Sequence, residues 1–156
     1  MPDRPKILVF PPLAATLCPA AALVLERLVP LGWLPDWVPP FGVLSIGIIA
    51  MFGAIIMAAS GIKAFKAAGT NVDPRRAALV VVETGPYRIT RNPMYLAMVV
   101  LQFGLCLTFS LDWLILFAPM LWGVLHFGVV LREEAYLTAK FGAPYQHYMG
   151  RTRRWI

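Results

Sequence analysis

Charged side chains are scarce in this chain of 156 residues. They make up 14% of it, whereas 59% of the residues are hydrophobic. In a typical soluble domain the charged fraction is roughly 25%. The composition therefore excludes an ordinary soluble domain and indicates a chain that is largely embedded in a membrane.

Cysteine is also rare, because only Cys18 and Cys106 occur and both lie inside apolar stretches. They have no paired spacing and no neighbouring group of metal-ligating residues. The sequence therefore excludes a disulfide framework and a zinc site, and it predicts no metal. Each cysteine is interpreted as a small buried residue.

Long apolar stretches are abundant, and four of them approach the ~20 residues that cross the hydrocarbon core of a bilayer. They cover residues 7–25, 40–62, 93–111 and 113–131. The sequence thus predicts an all-α, polytopic membrane protein with about four transmembrane helices. Pro11, Pro12 and Pro19 make the first stretch a poor cleavable signal. The Pro11-Pro12 pair should delay its helix until about Leu13.

Basic residues are unevenly distributed between the connections. On the four-helix topology, thirteen of the fourteen Lys and Arg residues lie on one side, and Arg27 is the exception. The opposite side carries Glu26, Asp36 and Asp112. Because cytoplasmic segments are enriched in Lys and Arg, both termini and the loop 63–92 should be cytoplasmic. Anionic lipid headgroups then account for the net charge of +6, and nucleic acid is not a predicted partner.

Residues 63–92 form the longest polar segment between the apolar stretches, and no long helix is predicted in them. Residues 79–82 are a short β-prone run that cannot span a membrane. The mixture of apolar and basic residues argues against disorder, so the loop is interpreted as functional. A helix should follow it, with Asn92 as N-cap and Pro93 at the first helical position.

Titratable residues cluster at the end of the last apolar stretch. His126 and Glu133 are seven residues apart and so should share one helix face. Glu134 follows at the predicted cytoplasmic boundary, where a desolvated carboxylate needs a partner or a function. His126 could instead be a hydrogen-bonded packing residue. Three cations could pair with the glutamates without any catalytic role: Arg91, Arg132 and Lys140.

Two parts of the chain resemble a known family when they are taken together. They are residues 85–96 (GPYRITRNPMYL) and 132–137 (REEAYL), the latter followed by Lys140-Phe141-Gly142, Tyr145 and Tyr148. With residues 68–70 upstream, they resemble the integral-membrane methyltransferases that include isoprenylcysteine carboxyl methyltransferase and the phospholipid methyltransferases. The resemblance covers roughly residues 60–156 and is specific for the superfamily, not for the substrate.

The resemblance implies transfer of a methyl group from S-adenosylmethionine to a lipophilic or lipid acceptor at the inner leaflet. Such a protein would have an N-terminal two-span region at 1–62 and a cofactor-binding region at 63–156, within one membrane domain. The resemblance to bacterial members implies a bacterial inner membrane. By their positions in the motifs, the cofactor-binding residues would be Leu79, Val80, Val81, Val82, Tyr87, Asn92, Pro93, Met94, Tyr95 and Glu133.

Two departures from the family pattern bear on the substrate. The eukaryotic carboxyl methyltransferases have His where this chain has Asn92, which can hydrogen-bond but cannot titrate, so it is not a general base. They also have an arginine that holds the substrate carboxylate where this chain has Val129. Either Arg91 or Arg132 replaces that arginine, or the acceptor is not a prenylcysteine carboxylate, which is the interpretation that we favour.

Methyl transfer mainly requires that a nucleophile be aligned with the methyl group. Arg91 and Arg132 are predicted to orient an anionic or polar acceptor. An amine, hydroxyl or thiol acceptor would also need a proton acceptor, for which Glu134 and His126 are the candidates.

Two other functions remain open. Sterol reductases contain a similar Arg–(His/Asn)–Pro–x–Tyr turn but bind NADPH, and their chains are typically much longer. Alternatively, the chain could be a non-enzymatic small membrane protein whose polar residues serve assembly or headgroup binding. The sequence does not predict the oligomeric state.

Overall fold

A computed structural model describes residues 4–33 and 40–156. Within these ranges the chain is helical, and its one β-bridge joins Thr90 to Arg153. The helices are α1 (Pro11–Leu28), α2 (Pro40–Ala67), α3 (Pro93–Phe109), α4 (Leu114–Leu125), α5 (Leu131–Phe141) and α6 (Ala143–Arg151). A 3₁₀ turn covers Gly85–Arg88, and a π-helical turn, His126–Val130, joins α4 to α5. The predicted all-α class is confirmed.

Two helices in the described part of the chain are long and apolar enough to cross a membrane. They are α2 and the continuous helix Leu114–Phe141, which has 28 residues like α2. At 1.5 Å per residue each is about 42 Å long. The apolar helix α3 is shorter, at 17 residues, and α1 has 18. Each predicted apolar stretch therefore corresponds to a helix, and two of these helices have the length and composition of a membrane span.

Proline marks the start of both α1 and α3. The first of these helices begins at Pro11 rather than near Leu13, because a proline in the first helical turn removes no intrahelical hydrogen bond. Pro93 opens α3, as the sequence predicts. Asn92 occupies the predicted N-cap position, but its side chain forms no capping hydrogen bond, and its Nδ2 donates to the Arg154 carbonyl oxygen at 2.9 Å.

Helices α2 and α3 cross where glycines allow their backbones to approach. A Cβ atom on Gly104 would lie 2.6 Å from Met51 Cγ and 3.1 Å from the Gly47 carbonyl oxygen. A Cβ atom on Gly47 would lie 2.9 Å from the Thr108 backbone nitrogen. Small residues permit such close contacts between membrane helices. The crossing fixes α3, and with it the motif at its start, against the long helix α2.

Gln102 is a fully buried polar residue between α1 and α3. Its Nε2 donates to the Ala15 carbonyl oxygen at 3.0 Å and to the Met98 carbonyl oxygen at 3.3 Å. In a regular helix the Ala15 carbonyl would accept from residue 19, but Pro19 has no N–H. Gln102 therefore supplies the donor that Pro19 lacks.

We expect Gln102→Leu to lower the free energy of unfolding by about 1 kcal/mol, because it leaves the Ala15 carbonyl oxygen without a donor. Pro19→Ala restores a backbone N–H, so the same change should cost much less in a Pro19→Ala background. Denaturant titration in detergent, followed by circular dichroism, measures the four proteins of this cycle. Equal losses in both backgrounds would contradict the link between Gln102 and Pro19.

The two short connections lie together at one end of the helices. Asp112 is buried there, and its backbone N–H donates to Glu26 Oε2 at 3.0 Å. Its own Oδ2 accepts from the Trp33 backbone N–H at 2.8 Å. The connections that the sequence predicts on the outer side therefore meet. Asp36, predicted on the same side, lies outside the described residues.

The N-terminal segment runs across the other end of the molecule and is bonded to the last long helix. The Leu8 backbone N–H donates to the Gly128 carbonyl oxygen at 2.9 Å, within the π-helical turn. Arg132 Nη1 donates to the Lys6 carbonyl oxygen at 3.4 Å. Pro5 is buried beside this contact. The N-terminal segment therefore lies at the end of the molecule where α3 begins and α5 ends.

Candidate active site

A cavity opens at the end of the molecule where α3 begins. Its empty space, including the open mouth, is about 820 Å³. The wall comes from the end of α2, the loop before the 3₁₀ turn, the turn itself, the start of α3, and the segment α5–α6, with Pro5 added from the N-terminal segment. Side chains from distant parts of the sequence therefore surround one space.

A tyrosine and a glutamate join the two sequence motifs in this wall. Tyr95, on the first turn of α3, donates its hydroxyl proton to Glu133 Oε1 at 2.9 Å. Both residues line the cavity. Among the described residues Tyr95 is the only hydrogen-bond partner of the Glu133 carboxylate. Its second oxygen is therefore available to a ligand.

The neighbouring carboxylate, Glu134, is held by two arginines. Arg91 Nη2 lies 3.0 Å from Glu134 Oε1, and Arg154 Nη2 lies 2.7 Å from Oε2. Arg154 Nε adds bonds of 3.0 Å and 3.1 Å to the two oxygens. Charge-assisted bonds from planar guanidinium groups are short and directional. Glu134 is therefore a fixed anchor, and little of its hydrogen-bonding capacity is left for a ligand.

Arg91 links this anchor to the cavity. Its side chain is 9% exposed and lies in the wall. Although its Nη2 is engaged by Glu134, its Nε has no hydrogen-bond partner within residues 4–33 and 40–156. Buried donors in folded proteins are normally satisfied. The Nε–H group is enclosed by the protein, so Arg91 offers the cavity a fixed positive charge rather than a free donor.

Buried tyrosines form much of the remaining wall. Tyr87, Tyr145 and Tyr148 are all buried, and each lines the cavity. The Tyr148 hydroxyl donates to the Tyr87 carbonyl oxygen at 2.7 Å, which ties α6 to the 3₁₀ turn. Burial raises the pKa of all three phenols above the ordinary value, because a phenolate would lose its hydration. These hydroxyls therefore stay protonated at physiological pH and can donate hydrogen bonds.

The loop before the 3₁₀ turn contributes apolar and charged groups. Val80, Val81 and Val82 line the cavity in irregular backbone. Asp73 also lines it and accepts bonds of 3.0 Å and 2.9 Å from the Arg75 side chain. These hydrogen bonds lower the pKa of Asp73 to about 2, so it carries a negative charge at neutral pH. The cavity therefore has an apolar side and a charged side.

Most of the residues predicted from the two motifs lie in this wall. Eight of the ten predicted cofactor-binding residues line it, and so do two of the four predicted catalytic residues. They are Val80, Val81, Val82, Tyr87, Asn92, Met94, Tyr95, Glu133, Arg91 and Glu134. Leu79 is 58% exposed and Pro93 is fully buried, and neither lines the cavity.

The other two predicted catalytic residues lie away from the cavity wall. Arg132 is exposed and is bonded to the N-terminal segment. His126 Nδ1 accepts from Trp155 Nε1 at 3.1 Å, and its ring stacks on Trp122 at 5.2 Å. The π-helical turn separates His126 from Glu133, and because a π-helix has more residues per turn than an α-helix, a spacing of seven does not place them on one face.

Several residues of the site were not predicted as such from the sequence. Tyr145 and Tyr148 are three apart after the break at Gly142, and this spacing indicates that they share a helix face. Asp73 and Arg154 carry no comparable signal. One lies in an irregular loop, and the other is one of three arginines near the end of the chain.

The chain matches a known protein family over this region. A family model described as phospholipid methyltransferase matches residues 43–144, which is more than half of the chain. The matched part contains the loop, α3 and α5, and so most of the cavity wall. No curated protein and no solved structure shows a significant match to the chain. The predicted resemblance to a family of membrane methyltransferases is confirmed.

Proposed function

The chain belongs to the phospholipid methyltransferase family, and we propose that it transfers a methyl group from S-adenosylmethionine to a lipid-like acceptor. The family supports methyl transfer as the reaction class and a lipid-like molecule as the acceptor class. We further infer that the cofactor is S-adenosylmethionine, which residues hold it, and on which side of the membrane the reaction takes place.

The observation that carries the proposal is the convergence of the two motifs on one cavity. Tyr95 and Glu133 come from different helices and share a hydrogen bond of 2.9 Å in its wall. Arg91, in the loop that leads into α3, and Glu134 on α5 form a second link at 3.0 Å. A small-molecule site typically combines apolar walls with a few convergent polar groups. This cavity has both features.

The cavity wall suits S-adenosylmethionine because some of its polar and charged groups are not fully used by contacts within the protein. The second oxygen of Glu133 would accept a hydrogen bond from a ribose hydroxyl or an amino group. The positive charge of Arg91, in the same wall, would attract the carboxylate of the amino-acid part. Val81 and Val82 would cover the adenine, with Tyr87 beside them. Asn92, Met94 and Tyr95 would form the edge between loop and helix.

When bound, the cofactor supplies an electrophilic methyl group, whose bond to sulfur breaks as the lone pair of the acceptor forms the new bond. The residues of the chain mainly hold the acceptor in line with that methyl group, with the reacting atoms about 3–3.5 Å apart. Buried tyrosines limit the access of water to this point.

An amine or hydroxyl acceptor must also release a proton. We do not assign this role to His126, which is bonded to Trp155 away from the cavity. Nor do we assign it to Glu134, because Arg91 and Arg154 already occupy both of its oxygens. The proton would pass to water at the open mouth. The proposed contribution of the protein is thus alignment rather than general base catalysis.

We propose four membrane-crossing helices, with α1 and α3 as the two shorter spans. Three observations support this topology: the apolar composition of both helices, the meeting of the outer connections at Asp112, and the distribution of Lys and Arg. Both termini and the cavity would then face the cytoplasm of a bacterial cell. A lipophilic acceptor would reach the cavity from the inner leaflet of the inner membrane.

The acceptor that we propose is a phospholipid amine rather than a prenylcysteine carboxylate. Val129 stands where the carboxyl methyltransferases have the arginine that holds a carboxylate. It is fully buried in a cluster with Leu125 and Val130. The position therefore packs the helices together and offers no cation to a substrate.

We expect calorimetric titration to show saturable binding of S-adenosylhomocysteine to the purified protein, whereas NADPH should not bind. The titration, performed in detergent micelles, separates the methyltransferase from a reductase. Incubation with radiolabelled S-adenosylmethionine and total lipid extract should then place the label in the phospholipid fraction. Saturable binding of NADPH alone would favour the reductase, and binding of neither ligand would favour a non-enzymatic protein.

A further inference from the structure

The segment 152–155 lies beyond the family match and outside the cavity wall, yet it is bonded to the first motif. The Arg91 backbone N–H donates to the Arg153 carbonyl oxygen at 2.9 Å. The Arg154 carbonyl oxygen accepts from Thr90 Oγ1 at 3.1 Å and from Asn92 Nδ2 at 2.9 Å. The backbone of this segment therefore holds the chain that leads into α3.

The side chain of Arg154 reaches the second motif as well. It forms three hydrogen bonds to Glu134, with lengths between 2.7 Å and 3.1 Å. Its planar fork engages both carboxylate oxygens, a geometry that a lysine cannot reproduce. One residue outside the cavity thus contacts the start of α3 through its backbone and α5 through its side chain.

We propose that Arg154 is a positioning residue for the cofactor, acting through Glu134 on Arg91. Arg154 holds the Glu134 carboxylate so that Arg91 reaches it through Nη2 while Nε remains unpaired. Without Arg154, the carboxylate would be free to form a two-pronged pair with Nε and Nη2 of Arg91. Formation of that pair would turn the Arg91 guanidinium and displace the positive charge that the carboxylate of the ligand needs. This inference rests on the proposed function.

We expect Arg154→Ala to weaken the binding of S-adenosylhomocysteine by about tenfold or more, because charge-assisted hydrogen bonds have effects of that size. The matched control is Arg153→Ala, which removes an exposed arginine whose side chain forms no hydrogen bond or ion pair with the described residues. The affinity of Arg153→Ala for S-adenosylhomocysteine should stay within about twofold of that of the unaltered protein. Isothermal titration calorimetry in detergent measures both variants, and circular dichroism checks their folding.

A double-mutant cycle with Glu134→Ala tests the route of the effect. If Arg154 acts through Glu134, then Arg154→Ala should not weaken binding further in the Glu134→Ala background. If Arg154 only stabilised the fold, then Arg154→Ala would lower the unfolding temperature, and its effect on binding would not depend on Glu134. Arg154→Lys keeps the charge without the fork and should give an intermediate affinity.

The outcomes separate this inference from the proposed function. If the unaltered protein binds S-adenosylhomocysteine and Arg154→Ala binds as tightly as Arg153→Ala, the positioning role is overturned and the proposed function stands. Additive losses in the cycle would overturn the route through Glu134. If Arg154→Ala fails to fold, then Arg154→Lys provides the measurement, and an unchanged affinity overturns the role. Failure of the unaltered protein to bind would overturn both.

Discussion

Glu133→Ala is expected to weaken the binding of S-adenosylhomocysteine by about a hundredfold or more while the purified protein stays folded. The carboxylate has a free oxygen in the cavity, and its other oxygen accepts from Tyr95 at 2.9 Å. Hydrogen bonds to charged groups contribute about 1.5–3 kcal/mol each. Loss of one such bond to the ligand, at the upper end of this range, therefore accounts for the effect. Calorimetric titration measures it.

Two variants make this result specific. Glu83→Ala removes a carboxylate of the same type, which pairs with Arg151 and does not line the cavity. Its affinity should match that of the unaltered protein. Glu133→Gln keeps one acceptor oxygen, so its affinity for S-adenosylhomocysteine should lie between those of Glu133→Ala and the unaltered protein. Tight binding by Glu133→Ala would remove this residue from the proposed site.

Gly104→Leu is expected to lower the free energy of unfolding by about 3 kcal/mol. A side chain at this position meets Met51 Cγ at 2.6 Å and the Met51 backbone nitrogen at 3.0 Å. Backbone atoms cannot move aside as a flexible side chain can, so the crossing of α2 and α3 must open. Overpacking of this kind costs about 1–3 kcal/mol or occasionally more. Denaturant titration in detergent measures the loss.

Gly53→Leu provides the matched control for that experiment. Gly53 lies on α2, and a Cβ atom placed there has no neighbour within 4 Å. Leucine has a higher helix propensity than glycine, so this variant should unfold at the same denaturant concentration or a slightly higher one. Similar losses for the two variants would show that the α2–α3 crossing is not fixed by Gly104.

The helices could be predicted because their signals are local. A run of about 20 apolar residues indicates a helix wherever it lies, and the proline at residue 93 marks a start for reasons of backbone chemistry alone. Pro11 shows the limit of this reasoning. Proline either delays a helix or opens it, and the residues around Pro11 do not distinguish the two.

The contacts of the site could be predicted only in part. Motif positions indicated that Tyr95 and Glu133 belong to one site, and they line one cavity. The sequence does not reveal that Arg154 binds Glu134, because twenty residues separate them and neither belongs to a periodic pattern across that distance. Nor does it reveal the Gln102 contact with α1, which depends on how two helices pack.

The π-helical turn at His126–Val130 makes the length of this helix matter more than its composition. It accommodates one more residue than an α-helical turn would, and one residue corresponds to a rotation of about 100°. Deletion of a single residue there would let the turn become α-helical and would leave Glu133 and Glu134 facing α3, whereas an inserted residue would swing them away from α3 by about that angle. An insertion at this turn should therefore be far more harmful than the deletion of one residue or an exchange of one apolar residue for another.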